Sequence, residues 1–195
     1  MDSKRKIFIG SRKSNLAKEQ TKLALKQFKN FGIENFSVKY VISRGDKISY
    51  KDFKLEGGKG LFTKEIDNLL INKEIDLAIH SAKDIPACID KRITIAAFLK
   101  REDARDVLIT KDFSIKNILE LKGNLHFGSS SPRRINYLKN LDPTIKIKTL
   151  RGNVESRIKK IRDGKLDGTL LALAGLKRLK LKYDNINFLK IPLSI

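Results

Sequence analysis

Apolar and polar positions alternate and cluster along this chain so as to predict strands and helices in turn. Ile7-Phe8-Ile9 predicts a short strand, and Gly10 to Asn15 a turn feeding a helix. Leu16, Gln20, Leu23, Ala24, Phe28 and Phe31 lie at helical spacing, with Ser14 or Asn15 as the N-cap. Phe36 to Ile42 alternates as a second strand and ends at Ser43-Arg44-Gly45-Asp46. Lys47 to Gly60 has little periodicity and reads as a mobile loop, either an anion cradle, a lid or plain surface. Its glycine spacing does not match a phosphate loop. Phe62, Ile66, Leu69 and Leu70 mark a helix. Ile75 to Ile79 reads as a buried strand, and Ile93 to Leu99 and Val107 to Ile109 as further strands.

The second half repeats the first in order. His126-Phe127-Gly128-Ser129-Ser130-Ser131 parallels Phe8-Ile9-Gly10-Ser11, each a strand, a Gly-Ser turn and a helix start. Pro132 suits the first helical position. Ile145 to Leu150 ends at Arg151-Gly152-Asn153, as the earlier strand ends at Arg44-Gly45-Asp46. Val154, Ile158 and Ile161 form a helical stripe, and Leu166 to Leu173 a strand tipped by Ala174-Gly175-Leu176-Lys177-Arg178. The expected fold class is α/β, with two similar βαβ-type lobes around a cleft. The charged link from Lys100 to Asp106 is the candidate crossing between them.

Charge sharpens this picture. The net charge is +20, with 21 Lys and Arg against 12 Asp and Glu in residues 1–100 and 21 against 10 thereafter. The excess is spread evenly, so there is no basic tail. No zinc-finger or RNP-type pattern accompanies it. Arg133-Arg134, Arg151 with Arg157, and Arg178 cluster at predicted strand ends. Guanidinium grips carboxylate or phosphate bidentately, so the cleft should hold a ligand with several negative charges. Helix N-termini after Ser14 and Ser131 would add positive potential.

The densest chemistry is His80-Ser81-Ala82-Lys83-Asp84-Ile85-Pro86, directly after a strand. Ligands of open α/β sheets bind beyond such ends, and a Lys-Asp pair there can stabilise charge or move protons. A strand-end carboxylate taken by itself is commonly a cap. The single cysteine, Cys88, excludes an internal disulfide, and a metal site is not expected from two histidines far apart in sequence. No apolar run approaches the ~20 residues of a membrane helix. The first apolar run is too short for a signal-peptide core, so the reading is a cytoplasmic monomer without membrane or nucleic-acid partners.

Several motifs together resemble porphobilinogen deaminase, also called hydroxymethylbilane synthase. They are Gly10-Ser11-Arg12-Lys13-Ser14, Ser43-Arg44-Gly45-Asp46, Gly57-Gly58-Lys59-Gly60-Leu61-Phe62 and His80 to Pro86. Arg101 to Asp106, Gly128 to Arg134, Leu150 to Val154 and Leu173 to Leu179 continue the match in family order. The resemblance implies head-to-tail condensation of four porphobilinogen molecules to hydroxymethylbilane, with release of ammonia, in tetrapyrrole biosynthesis. It implies a dipyrromethane cofactor on a cysteine thioether, and a fold like that of type II solute-binding proteins.

It also implies roles. Asp84 corresponds to the catalytic aspartate. Lys83, Arg133, Arg134 and Arg157 correspond to residues holding cofactor carboxylates, with Ser129, Ser130 and Asn153 as hydrogen-bonding neighbours. Arg12, Ser14, Arg151, Arg178 and, in the mobile loop, Lys59 correspond to the substrate set. His80 packs below Asp84, and Cys88 is a small buried or loop residue outside the cofactor motif. The expected domains are 1–101 with loop 47–60, 102–187, and 188–195 as the start of a return segment. The family's third α+β domain, with the cofactor cysteine, is expected to be absent. Two other classes remain: a non-catalytic two-lobe binder of anionic small molecules, and a basic nucleic-acid module, whose affinity would fall steeply with salt.

Overall fold

The leading strand is followed by a helix because Ser14 stops β structure and caps what comes next. Its extended backbone lets its hydroxyl accept the Ala17 amide at 3.3 Å. The structure, a computed structural model, describes residues 5–47 and 60–192. The predicted loop 47–60, apart from its two end residues, and Lys59 with it, lies outside those residues. The chain divides into two compact units, Met1–Lys100 and Arg101–Ile195.

In the first unit β1 (Ile7–Arg12) leads to α1 (Asn15–Asn30), β2 (Phe36–Val41) and the single turn α2 (Arg44–Lys47). Then come α3 (Lys64–Ile71), β3 (Leu77–Ile79) and a 3-10 turn, Ala82–Asp84. The sheet is parallel in the order β2-β1-β3. Ile9, Ala24, Ile66 and Ile75 are buried in its core. Only part of the predicted α1 stripe packs, since Ala24 is buried while Leu23 and Phe31 face solvent. Residues Ile93 to Leu99 form no strand, a correction to the periodicity. A strand needs a neighbour for its N–H and C=O groups. Among the described residues none pairs here, and Ile95, Phe98 and Leu99 remain exposed.

The second unit runs β4 (Asp106–Thr110), a 3-10 turn at Ile118–Glu120, β5 (His126–Gly128), α4 (Pro132–Leu141) and β6 (Lys146–Lys148). It continues with α5 (Val154–Arg162), β7 (Gly168–Ala172), α6 (Leu173–Leu179) and β8 (Asn187–Lys190). Sheet order is β6-β5-β7-β4-β8, with β4 antiparallel to both neighbours. The polar-tipped segment after β7 is therefore a helix, and β8 was not visible in the periodicity. Val107 and Ile109 face one apolar cluster while Leu108 faces the other, so the continuous apolar run of β4 is buried on both sides.

The repeat is physical. The β2-β1-β3 and β6-β5-β7 arrangements have the same order and direction. Gly10 and Gly128 hold equivalent places, where an added Cβ would meet Ile75 Cδ1 at 2.5 Å and Leu166 Cδ1 at 2.6 Å. Glycine lets the following segment close over the strand.

Candidate functional site

The first unit builds a carboxylate at a strand end. After Ile79 the chain tightens into the 3-10 turn, in which the Asp84 amide donates to the Ser81 carbonyl at 2.9 Å. The Ser81 hydroxyl lies 2.8 Å from Gln20 Nε2 and 2.9 Å from Oε1, which ties the turn to α1. Arg12, the last residue of β1, donates from Nη1 to Asp84 Oδ2 at 3.2 Å, and Lys83 Nζ donates to Oδ1 at 2.9 Å. The Asp84 side chain is only 11% exposed and Lys83 80%, so the carboxylate is sheltered while the ammonium reaches water. The Arg12 guanidinium also stacks 4.4 Å from the centre of the Phe62 ring, which fixes its plane. Behind them, both His80 ring nitrogens are shut off from solvent with no hydrogen-bond partner among the described residues. Burial pulls that imidazole below its ordinary value; Asp67 and Asp84 oppose the shift and Arg12 adds to it. Cys88 is exposed, which discards the buried alternative for it.

The second unit gathers guanidinium groups. Ser131 and Pro132 start α4, so Arg133 and Arg134 fall in its first turn. Arg134 grips Asp106 with two bonds, Nε to Oδ2 at 3.1 Å and Nη2 to Oδ1 at 2.7 Å. Arg133 Nη2 adds a third, to Oδ2 at 2.6 Å. Burial pushes the Asp106 carboxyl up, but the bonds and charges of Arg134 and Arg133 outweigh it and hold it below its ordinary value. Arg157 donates from Nε to the Gly152 carbonyl at 2.9 Å. Burial, and then the charges of Arg134 and Arg151, lower its affinity for its proton. Arg157 thus feels the positive charges of both Arg134 and Arg151.

The predicted hydroxyl and amide neighbours serve the backbone. Ser129 Oγ accepts the Ser131 amide at 3.1 Å, Ser130 Oγ donates to the Leu150 carbonyl at 3.0 Å, and Asn153 Oδ1 caps α5 through the Ser156 amide at 2.8 Å. Ser14 is likewise engaged as the α1 cap. Arg178, on α6, has a buried Nε with no hydrogen-bond partner among the described residues, and its charge acts on Glu102. The same Glu102 accepts from Lys177 at 2.9 Å. Sequence reasoning passed over Asp106, Glu102, Gln20 and Phe62 as partners. The alternating charges of Arg101 to Asp106 were the available signal for the first two, but the sequence does not say which cation each carboxylate meets.

These elements define an α/β protein with strand-end cations suited to carboxylated ligands and two sheltered, cation-held carboxylates, Asp84 and Asp106. The region 7–194 matches the family described as "Porphobilinogen deaminase, dipyromethane cofactor binding domain". The chain is 48% identical over 174 residues to porphobilinogen deaminase of Rickettsia typhi, covering 89% of this chain and 58% of that protein. It is 43% identical over 185 residues to that of Oceanobacillus iheyensis, covering 93% and 59%. The chain belongs to the porphobilinogen deaminase family, and the matched region is its dipyrromethane cofactor-binding domain. It spans about three-fifths of the length of those two relatives. The substrate-binding protein of an amino acid ABC transporter aligns at 16% identity and a TM-score of 0.47, over 96% of this chain and 79% of that one. Among the described residues no helix is long and apolar enough to cross a membrane.

Proposed function

We propose that this chain carries the catalytic and cofactor-holding part of a porphobilinogen deaminase, which joins four porphobilinogen molecules into hydroxymethylbilane and releases ammonia. Residues 1–101 are the catalytic lobe and 102–187 the carboxylate-holding lobe. The observation that carries the reading is Asp84, sheltered at the end of β3 and held on both oxygens by cations.

Loss of ammonia from porphobilinogen leaves positive charge spread over a pyrrole ring. Asp84, oriented by Arg12, is suited to accept a pyrrole N–H and to stabilise that charge. It is also suited to take the proton lost when the new carbon–carbon bond is made. Lys83 and Arg12 hold the carboxylate in place and leave Lys83 able to meet a substrate carboxylate. The dipyrromethane, when bound, supplies the pyrrole end from which the product grows. The donors present fit such a polycarboxylate. Arg133 is 71% exposed with N–H groups left over, and an anion offsets the charges of Arg134 and Arg151 that act on Arg157. Arg12, Ser14, Arg151, Arg178 and Lys59 are the substrate set of this reading, with Ser129, Ser130 and Asn153 shaping the loops that present the arginines.

Asp84→Asn removes the charge and keeps the shape. Ammonia release should fall by more than about 100-fold, with the melting temperature and porphobilinogen binding retained. A variant that keeps the native rate, or a native chain that neither binds porphobilinogen nor releases ammonia, overturns the reading.

A further inference from the structure

Arg133 and Arg134 are adjacent in sequence at the start of α4, and two unpaired guanidinium groups so placed would repel and swing apart. The structure holds them together through a third residue. Asp106, the first residue of β4, has a side chain only 8% exposed, and three N–H groups from the two arginines fill its oxygens. It cannot drift, because its strand is pinned on both sides. Asp106 pairs with Ala172 of β7, and the Ile191 amide donates to the Asp106 carbonyl at 3.0 Å.

The division of labour between the arginines follows from exposure. Arg134, 15% exposed, turns its fork inward and serves as a tie. Arg133, 71% exposed, is held at one nitrogen and keeps other donors toward solvent. Removal of the Asp106 charge would leave Arg134 less neutralised beside Arg157, whose charge it already opposes.

We infer that Asp106 is a positioning residue for carboxylate recognition: it orients Arg133 by holding one of its nitrogens directly and by clamping Arg134 beside it, and so makes the site selective for the shape of a dicarboxylate rather than for its charge. This rests on the function proposed above. Asp106 itself is a positioning residue and touches no ligand. Fixed donors discriminate by geometry, whereas loose cations discriminate by charge alone.

The test is the ratio of two affinities measured by calorimetry on the whole chain, for porphobilinogen and for succinate, both dicarboxylates. Asp106→Asn keeps the volume and removes one negative charge. It should lower the ratio by about tenfold while succinate binding holds or strengthens. Loss of general structure would weaken both ligands and lower the melting temperature. Simple neutralisation by Asp106 would make both bind more tightly in the variant, with the ratio unchanged. Either result, or an unaltered ratio, overturns the inference. Where Asp106→Asn does not fold, Arg134→Lys takes its place, because it keeps the charge and removes the fork. It too should lower the ratio, and a native ratio in it overturns the clamp. A native chain that binds no porphobilinogen overturns the parent reading and the inference with it. A native chain that binds porphobilinogen while the variants keep its selectivity overturns the inference alone.

Discussion

Asp76 and Asp167 make the same bond in the two units. Asp76 Oδ2 accepts the Phe8 amide at 2.8 Å, and Asp167 Oδ2 accepts the His126 amide at 2.7 Å. Each also donates its own amide back to the carbonyl of that residue, at 2.7 and 2.9 Å. The carboxylate satisfies an amide near the start of the first strand of each βαβ unit, where the crossover returns to it. Asp76→Ala and Asp167→Ala should each cost about 1 kcal/mol, read from urea unfolding. An unchanged midpoint in either variant would show that water replaces that bond without loss.

Gly45 controls Arg12 at one remove. A Cβ on Gly45 would meet the Phe62 ring at 2.5 to 2.9 Å, and that ring is the platform under the Arg12 guanidinium. Gly45→Ala should displace Phe62, loosen Arg12 from Asp84 and slow ammonia release by about tenfold or more, with most of the stability kept. A native rate would mean that Phe62 shifts without carrying Arg12.

Gly168→Ala tests packing in the second unit. The new methyl would sit 2.7 Å from two atoms of the buried Phe127 ring and 3.0 Å from the Ile109 carbonyl. Neither can retreat, since Phe127 is 1% exposed and Ile109 lies in β4. The expected loss is about 1–3 kcal/mol by chemical denaturation. Gly10→Ala should cost less, because its nearest contact is the flexible end of Ile75.

His80 should make the first unit acid-sensitive. Its folded-state affinity for a proton lies below the ordinary value of 6.5, so the unfolded chain binds the proton more readily. Its contribution is complete above that value and is lost as pH falls through the lower folded-state value. His80→Leu should flatten the dependence of the urea midpoint between neutral pH and pH ~5. An equally steep dependence in the variant would assign the effect to other groups.

The Asp106 carboxyl acts in a lower window. It is held below its ordinary value of 3.8 in the folded chain, so its stabilisation is present above that value. It is lost as pH falls further and the clamp is protonated. Asp106→Asn should therefore remove part of the acid unfolding of the second unit, followed by circular dichroism.

Much of this protein was legible in the chain because its signals are local. Ser14 and Pro132 marked helix starts, the apolar run Ile7-Phe8-Ile9 marked β1, and alternation marked β2. Repetition of strand, Gly-Ser turn and helix predicted two βαβ units, and ordered motifs pointed to the family. Ile158 and Ile161, at helical spacing, are buried as their stripe requires. These readings depend on backbone preference and side-chain period, which a sequence carries directly.

What the tertiary structure decided is pairing. Ile93 to Leu99 has strand-like residues but no strand beside it among the described residues, and a strand exists only with its partner. Arg133 and Arg134 are neighbours in the chain, yet both meet Asp106, which stands 27 and 28 residues away, Arg133 through one bond and Arg134 through two. Arg12 and Asp84, 72 residues apart, became one unit because β1 and β3 lie side by side. The strength of a charge pair depends on distance and burial, and both are set only when the strands have found their order.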